Sequence, residues 1–263
     1  MPIVRLCEDA LVLHKHHYNA QYYKLTLRAP RIARLARPGQ FVHLRVPHSD
    51  ACFLRRPLSL ANTNPQAGTV DIIAKVLGQG TRQLADVDTG VALDLLGPLG
   101  KAWPVLQAGQ SVAMVGGGVG FPPLFFYAQQ LHPACRVTFY YGGRSADDIL
   151  EEADLARCSV RVAIATEDGS KGVRGRVTLP FEQGLLQDRP DVVLTCGPTA
   201  MMRAVAELCQ ARQVTCYASL EERMGCGLGV CIGCVVRTSR GFERVCTEGP
   251  VFNVQDVWEW AHA

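Results

Sequence analysis

Four cysteines near the end of the sequence constrain the fold of this chain more than any other feature. Within the segment MGCGLGVCIGCVVRTSRGFERVC, Cys226, Cys231, Cys234 and Cys246 follow the spacing C-x4-C-x2-C-x11-C. The whole chain has 11 cysteines, and an odd number in a secreted protein would leave one thiol unpaired. The count therefore favours a reducing compartment, in which these four thiols are better explained as metal ligands than as disulfides.

The spacing distinguishes two kinds of metal site. Structural zinc usually takes its thiolates from two C-x2-C pairs, whereas only Cys231 and Cys234 form such a pair here. A C-x4-C-x2-C run followed by a distant fourth cysteine is the plant-type [2Fe-2S] order. The glycines between the ligands would let the loop wrap a cluster and direct N–H groups at its sulfurs. The pattern favours a [2Fe-2S] cluster, with zinc as the alternative.

Composition and charge exclude several classes of function. The chain has 263 residues, of which 48% are hydrophobic and 19% are charged, so it can bury a normal globular core. A net charge of +3 gives no support for nucleic-acid binding. No apolar run is long enough to cross a bilayer, and the first residues lack the apolar segment of a signal peptide. We expect a cytoplasmic protein with neither nucleic-acid nor membrane partners.

Hydrophobic periodicity divides the chain into three regions. Short alternating runs such as YYKLTLRA and TVDIIAKVL, separated by turn residues, predict an antiparallel β-barrel domain over residues 1–103. Apolar runs followed by helical patterns predict an α/β nucleotide domain with a doubly wound parallel sheet over residues 104–215. Residues 216–263, rich in glycine and cysteine, are expected to form a small C-terminal [2Fe-2S] module.

Two strand ends in the second region carry glycines that are typical of a nucleotide site. The run VGGGVG follows one apolar strand and the run CGP follows another, and in a parallel sheet the C-terminal strand ends form the ligand crevice. The first run lacks the G-x-G-x-x-G spacing, and a tight strand-to-helix turn explains its glycines equally well. The candidate residues are Gly116, Gly117, Gly118, Gly120, Cys196, Gly197 and Pro198.

The barrel region contains a candidate anion site. FLRRPLSLAN places Arg56 three residues before Ser59, and KVLGQGT places Gly80 and Thr81 in a glycine turn. An arginine fork, backbone N–H groups and a hydroxyl suit a pyrophosphate. A surface arginine and a hairpin turn would explain either motif taken alone.

The order of these motifs resembles the ferredoxin-NADP reductase superfamily over nearly the whole chain. RRPLS, KVLGQGT, GPLG, VGGGVG and CGPTAMM follow one another as they do in that family, where the barrel binds FAD and the next domain binds NAD(P). The resemblance implies that Gly116 to Gly120 and Cys196 to Pro198 flank the nicotinamide nucleotide, with Cys196 near the nicotinamide. Leu58 stands where many relatives have a tyrosine. The flavin contacts that the resemblance implies are Arg56, Pro57, Leu58, Ser59, Ile73, Ala74, Lys75, Gly80 and Thr81.

The short C-terminal module narrows the resemblance. An FAD barrel, an NAD domain and the run SLEERMGCGLGVCIGC are together similar to the electron-transfer subunits of NAD-dependent dihydroorotate dehydrogenase. Membership would imply electron passage from the FMN of a separate catalytic subunit, through [2Fe-2S] and FAD, to NAD+ during pyrimidine biosynthesis, within a heterotetramer. The small subunit of an NADH-dependent ferredoxin-NADP or sulfide dehydrogenase complex is an alternative, and so is a redox-sensing protein without turnover.

This interpretation requires no side chain to act as a catalytic acid or base. No Ser-His-Asp or paired-carboxylate arrangement stands out, so no catalytic residue is assigned and redox chemistry is expected on the cofactors. After the run FYYGG, Arg144 and Ser145 could meet a 2′-phosphate, but Asp147 and Asp148 would repel one, which favours NAD over NADP. The loop TEDGS is expected close to the same nucleotide.

Overall fold

A computed structural model describes residues 5–47, 52–131 and 134–257 of the chain. Within these ranges there is no helix with both the length and the apolar character needed to span a membrane. The elements of the first region are β1 (Leu6–His17), β2 (Tyr22–Arg28), α1 (Pro30–Leu35), β3 (Phe41–Leu44), β4 (Arg56–Asn64), β5 (Thr69–Lys75), α2 (Gln79–Asp86) and β6 (Ala92–Leu99).

The first region is a closed antiparallel barrel, as the sequence predicts. Its strands follow the spatial order β1-β2-β5-β4-β3-β6, and every neighbouring pair runs antiparallel. Side chains alternate between the two faces of a strand, so Tyr23, Leu25 and Leu27 of β2 are all fully buried in the barrel core. β3 lies between β4 and β6. Like every strand of a closed barrel, it has one face inside the barrel and one face outside.

The second region is an α/β unit, and its predicted parallel sheet is confirmed. Its elements are β7 (Ser111–Gly117), a 3-10 turn (Gly118–Gly120), α3 (Phe121–Ala128), β8 (Arg136–Gly143), a 3-10 turn (Ala146–Asp148), α4 (Glu152–Leu155), β9 (Val160–Thr166), β10 (Val173–Arg174), α5 (Thr178–Gln187), β11 (Val192–Cys196), α6 (Thr199–Ala211) and β12 (Thr215–Ser219). The sheet order is β10-β9-β8-β7-β11-β12, so the chain reverses its direction of winding between β7 and β11. Ligands bind at such switch points in open parallel sheets.

Helices cover both faces of this sheet. Val112 and Met114 of β7 share a core with α3, whereas Ala113 and Val115 share a core with α5 and α6. Such strands, buried on both faces, read as continuous apolar runs, which is the pattern visible in the sequence. α3 also joins the two domains, because the indole N–H of Trp103 donates to the Pro123 carbonyl at 3.1 Å.

The C-terminal segment contacts both domains. Its elements are β13 (Val235–Thr238), β14 (Gly241–Arg244) and β15 (Val251–Asn253). β13 and β14 form a hairpin, while β15 pairs antiparallel with β12 and adds a seventh strand to the parallel sheet. On the other side, Phe41 and Leu99 of the barrel pack in one core with Cys234 and Cys246.

Candidate functional site

The residues predicted for the flavin line one cleft of about 570 Å³ between the barrel and the C-terminal segment. Leu220 to Met224 and Pro250 form the opposite wall. The predicted residues in the lining are Arg56, Pro57, Leu58, Ser59, Ile73, Ala74, Lys75 and Thr81. These residues are brought together because β4 and β5 are neighbours in the barrel. The cleft is largely apolar, with a cation at one end.

Gly80, the remaining residue of that set, lies behind Arg56. A side chain at Gly80 would place its Cβ 2.6 Å from Arg56 Nε, so only glycine leaves room for the guanidinium there. The adjacent Arg55 is ion-paired with Asp94, whereas no carboxylate among the described residues pairs with Arg56. An unneutralised guanidinium at the start of α2 is a suitable contact for a phosphate.

The second cleft, of about 600 Å³, lies at the switch point of the sheet. Its predicted lining residues are Gly117, Gly118, Gly120, Gly197 and Pro198. A Cβ at Gly120 would lie 2.4 Å from the Cys196 carbonyl oxygen, so the ends of β7 and β11 touch because there is no side chain between them. Thr199 and Ala200, at the N-terminus of the 13-residue helix α6, also face this cleft. A helix N-terminus favours a phosphate through its free N–H groups.

Gly116 and Cys196 are not brought into the cleft. The Cys196 side chain is buried in the core, where burial raises the pKa of its thiol above the usual range. A Cβ at Gly116 would contact Leu124 and Phe139 at 3.4 Å, so this glycine faces α3 and β8. The directions in which these two positions face depend on the register of β7 and β11, and the sequence motifs do not specify that register.

The two clefts meet at a junction that combines one residue predicted for the flavin, Lys75, with two that were not assigned, Val119 and Glu221. Lys75, Val119 and Glu221 line both clefts. Glu221 lies two residues after the end of β12, so its position near a C-terminal strand end of the sheet was a signal that could have identified it. Glu167, which follows β9, and Arg176 line the nucleotide cleft for the same topological reason.

A polar link between the barrel and the nucleotide domain borders this junction. The Tyr22 hydroxyl donates to Asp148 Oδ1 at 2.6 Å, and the Lys75 ammonium lies 3.7 Å from the same oxygen. Asp148 Oδ2 accepts the backbone N–H of Arg144 at 2.8 Å. Desolvation raises the pKa of Asp148, but the Tyr22 and Arg144 hydrogen bonds and Lys75 outweigh it, so the pKa lies below its usual range. Asp148 is therefore a structural anion at the junction.

The four clustered cysteines lie together as two pairs. Cys226 interacts with Cys231, and Cys234 interacts with Cys246, through hydrogen bonds that affect the pKa values of Cys226 and Cys246. Desolvation raises the pKa of Cys226, but the N–H groups of the loop outweigh it and lower the pKa to about 6. The N–H groups of Leu228, Val230 and Cys231 lie 3.3, 3.4 and 3.4 Å from Cys226 Sγ.

Four neighbouring thiols are the ligand set of a tetrahedral zinc ion or of a [2Fe-2S] cluster. In the part of the chain that the structure describes, no group of three or more His, Cys, Asp or Glu side chains could hold a single metal ion. A tetrahedral zinc site needs all four ligands around one centre. The order of the cysteines along the chain is the plant-type [2Fe-2S] order.

Charged groups outside the loop hold its shape. Arg244 donates to the Gly229 carbonyl at 2.8 Å, and its guanidinium forms two contacts with Glu248 at 2.6 and 2.9 Å. Gly229 and Gly227 have φ values of +81° and +67°, a region that favours glycine. The loop geometry is thus built by its own glycines and by one bidentate ion pair.

The outer side of the loop is apolar and open to solvent. Val230 is 77% exposed, Ile232 65% and Phe242 76%. Cys231, one of the four predicted ligands, is exposed between Val230 and Ile232. Ile232 has a φ of +57°, which is unusual for a β-branched residue and marks a strained loop tip.

Comparison with known families places three domain models along the chain. Residues 12–103 match the oxidoreductase FAD-binding domain, and residues 114–207 match the oxidoreductase NAD-binding domain. Residues 221–258 match the iron-sulfur cluster binding domain of dihydroorotate dehydrogenase B.

Similar proteins cover almost the full length of the chain. The sequence is 40% identical over 242 residues to the dihydroorotate dehydrogenase B (NAD(+)) electron transfer subunit of Shouchella clausii, covering 89% of this chain and 92% of the relative. It is 37% identical over 257 residues to the protein of the same name from Desulforamulus reducens, covering 95% of this chain and 98% of that relative. A chain in the structure of an NADH-dependent reduced ferredoxin-NADP oxidoreductase superposes with a TM-score of 0.86 at 29% identity, covering 96% of this chain and 91% of that one.

Proposed function

The chain belongs to the family of dihydroorotate dehydrogenase B electron transfer subunits, and from that premise we propose that it passes electrons between NAD and a partner dehydrogenase. It is an NAD-linked oxidoreductase subunit with an FAD-binding domain, an NAD-binding domain and an iron-sulfur domain. When bound, FAD exchanges a hydride with the nicotinamide and single electrons with the cluster. The partner that we propose is an FMN-containing catalytic subunit that oxidises dihydroorotate to orotate in pyrimidine biosynthesis.

The observation that carries the proposal is the order of the sites in space. The nucleotide cleft and the flavin cleft share Lys75, Val119 and Glu221, so ligands in the two clefts are neighbours. The thiol loop packs against β3, the strand that pairs with the Arg56 end of β4. Three sites in contact, in this order, suit a relay from nicotinamide through flavin to cluster.

Each site has a proposed set of ligands, and each set fits a feature of the fold. Arg56 to Ser59, Ile73 to Lys75, Gly80 and Thr81 hold the flavin, with Arg56 on the pyrophosphate. The NAD set retains Gly116 and Cys196 as backbone at the ends of β7 and β11, although neither side chain faces the cleft. We assign the [2Fe-2S] cluster to Cys226, Cys231, Cys234 and Cys246, and we keep 1–103, 104–215 and 216–263 as the functional modules.

The partner is proposed to dock on the face around Cys231. Apolar side chains surround that exposed thiol, and a partial apolar cover is what an electron-transfer contact needs to exclude water. We propose a heterotetramer of two chains of each kind. A cytoplasmic location is supported by the 11 cysteines of the sequence.

One observation favours a second candidate. The chain from the NADH-dependent reduced ferredoxin-NADP oxidoreductase matches this fold over 96% of the present chain. A small subunit of an NADH-dependent ferredoxin-NADP complex would use the same three sites and a different partner. The two candidates differ in the protein that binds at Cys231, not in the chain itself.

The main proposal is tested by combining the purified chain with each of two candidate partner proteins. The chain, purified with flavin and iron, is mixed with an FMN-type dihydroorotate dehydrogenase subunit or with a ferredoxin-NADP partner, and NAD+ reduction is followed. We expect dihydroorotate-dependent NADH formation only with the first partner. Activity only with the second would replace the proposal, and absence of flavin and iron from the purified chain would remove both.

Replacing one cluster ligand separates the two halves of the relay. We expect Cys231→Ser to block electron passage to the partner while NADH still reduces the flavin, since the flavin and nucleotide clefts do not include this residue. Stopped-flow absorbance follows both steps. Loss of both together would show that the cluster also maintains the fold of the flavin site.

A further inference from the structure

One buried histidine lies between the flavin strand and the thiol loop. His43, on β3, has none of its surface exposed to solvent. By strand alternation it shares the face of Phe41, which packs with the cluster segment, while Val42 and Leu44 point into the barrel core. His43 is therefore outside the barrel and directly under the loop that carries Cys226.

The ring is in close contact with the loop. A Cβ at Gly227 would lie 2.6 Å from His43 Nδ1 and 3.3 Å from its Cγ, so the absence of a side chain at Gly227 lets the imidazole reach the loop backbone. Gly227 also has a φ of +67°, and it follows the predicted ligand Cys226 directly. The next N–H groups in the chain, from Leu228 to Cys231, are those that point at Cys226 Sγ.

The two ring nitrogens have different surroundings. Nε2 lies 3.1 Å from the carbonyl oxygen of Arg55, and a peptide oxygen can only accept, so Nε2 carries a proton and donates it. Arg55 immediately precedes Arg56 of the flavin cleft. Nδ1 has no hydrogen-bond partner in the structure although it is fully buried. A polar atom left unpaired in a core needs an explanation.

Packing alone does not explain a histidine at this position. The side chains beside it, Phe41 on the same strand and Leu99 on β6, are apolar and also contact the cluster segment. A leucine would fill the space without leaving an unpaired nitrogen. The polar edge of the ring faces the loop that carries the predicted ligands, where the backbone of Cys226 and Gly227 lies beside it.

We propose that His43 is a positioning residue for electron transfer, and that packing of its Nδ1 edge against the backbone at Cys226 and Gly227 holds the loop so that the following N–H groups point at the Cys226 sulfur. Outer contacts of this kind orient ligands and tune metal centres. Through Nε2 the same ring is tied to the strand of the flavin cleft, so one side chain sets the position of the loop relative to that cleft. This inference rests on the proposed function, because it assumes a cluster at the four cysteines.

Three variants distinguish the effects of the two ring nitrogens from the effect of the ring's volume. In His43→Asn the amide stands close to the place of Nδ1, in His43→Gln it reaches the place of Nε2, and His43→Leu keeps only apolar volume. The cluster midpoint potential and the electron paramagnetic resonance spectrum of the dithionite-reduced chain are measured, together with flavin reduction by NADH and the subsequent reduction of the cluster. None of these readouts uses the partner, so the identity of the partner does not affect the result.

We expect His43→Leu and His43→Gln to shift the potential and the spectrum and to slow cluster reduction about tenfold, while His43→Asn stays close to the unchanged chain. Flavin reduction by NADH is expected to be unchanged in all three. Equal potentials and spectra in all variants would overturn the inference, and so would equal shifts in the Asn and Leu variants or loss of the cluster from all three. A chain that binds no iron before any substitution would instead contradict the proposed function.

Discussion

At the scale of single residues, missing side chains at two glycines shape the two clefts, and Arg56 adds a cation to the flavin cleft. The backbone of Gly120 touches the end of β11, and Gly80 leaves the space that the Arg56 guanidinium occupies. Both positions are glycine because another group takes the place of a Cβ. The glycines and Arg56 were predicted from the sequence, since each belongs to a motif with a local spacing.

We expect Gly120→Ala to impair the nucleotide cleft. Its Cβ would lie 2.4 Å from the Cys196 carbonyl oxygen, a backbone atom that moves only if β11 shifts. Reduction of bound FAD by NADH should slow at least about tenfold, because displacement of a binding backbone by 1 Å can cost roughly a hundredfold in rate. Stopped-flow kinetics measures this step.

Gly116→Ala is the matched control within the same glycine run. Its Cβ would meet Leu124 and Phe139 at 3.4 Å, which is ordinary contact distance. If Gly116→Ala slows the reaction as much as Gly120→Ala does, the contact between the strand ends is not the cause.

Adjacent arginines give a second test at this scale. Arg55 and Arg56 both line the flavin cleft, but Arg55 is bound to Asp94, whereas Arg56 has no carboxylate partner among the described residues. A hydrogen bond to a charged group contributes about 1.5–3 kcal/mol. Arg56→Ala should therefore weaken FAD binding roughly 10- to 100-fold, as measured by fluorescence titration of the apoprotein.

Arg55→Ala serves as the comparison in that titration. It removes the ion pair with Asp94 and should lower the melting temperature, while FAD affinity falls less than in Arg56→Ala because the charge of Arg55 is already paired. An equal loss of FAD affinity in both variants would contradict the assignment of Arg56 to the phosphate.

Sequence reasoning reaches its limit where a side chain direction depends on tertiary register. CGP predicts a strand end at Cys196 correctly, yet the thiol points into the core because alternation along β11 puts it there. His43 likewise lies in an ordinary alternating run, and only the contact with Gly227 distinguishes it. Neither fact has a local signal in the sequence.

At the scale of elements, the link between the barrel and the nucleotide domain depends on a short 3-10 turn. Asp148, at the end of that turn, accepts the Tyr22 hydroxyl from a residue 126 positions earlier in the chain. The sequence analysis treated Asp148 as an element of cofactor specificity. A contact across this separation cannot be predicted from motif spacing, because it exists only after both domains have folded.

Asp148→Asn should destabilise the chain in a pH-dependent way. At neutral pH the loss of the charged hydrogen bonds is expected to lower the free energy of unfolding by about 2 kcal/mol. The pKa of Asp148 is lowered in the folded chain, so the carboxylate stabilises the fold at pH values above its unfolded pKa. That contribution is lost as the pH falls below about 4, through the folded pKa.

Chemical denaturation from pH 7 down to pH 3 measures this difference. The unfolding energies of the unchanged chain and Asp148→Asn should converge on the acid side. Asp147→Asn is the control, because the neighbouring Asp147 side chain is exposed. A constant difference at all pH values would show that Asp148 is not the titrating group.

At the scale of the whole molecule, the C-terminal segment presents several exposed apolar side chains on the face where we propose that the partner binds. Val230 and Ile232 flank the exposed Cys231 in the chain, and Phe242 is exposed on β14 of the following hairpin. The three-region organisation was predicted from periodicity alone, since alternating runs and strand-helix repeats are distinct patterns. The packing of the C-terminal segment was not predicted, because β15 is only three residues long and shows no hydrophobic periodicity of its own.

Phe242→Ser should weaken the complex with the partner without altering the chain itself. Phe242 is 76% exposed on β14, outside the cysteine loop, so its removal costs the fold little. Burial of such a side chain on association contributes about 2 kcal/mol, which corresponds to roughly a 30-fold change in Kd. Sedimentation velocity with the partner measures the affinity.

Leu186→Ser is the control for the general effect of replacing an exposed apolar side chain by serine. Leu186 is 69% exposed on α5, on the nucleotide domain and away from the hairpin. An equal loss of affinity in both variants would mean that the partner does not dock specifically around Cys231.

The pairing of β15 with β12 also dictates an order of assembly. All four cysteines precede β15 in the chain, and β15 is the strand that completes the sheet of the preceding domain. During synthesis the nucleotide domain therefore keeps an open edge at β12 until the cluster segment has been made. Once β15 closes that edge, Cys234 and Cys246 are buried and only the Cys231 side of the loop faces solvent. For the proposed cluster, a chain whose sheet closes early would leave only the Cys231 side open to iron, which is the face that we propose for the partner.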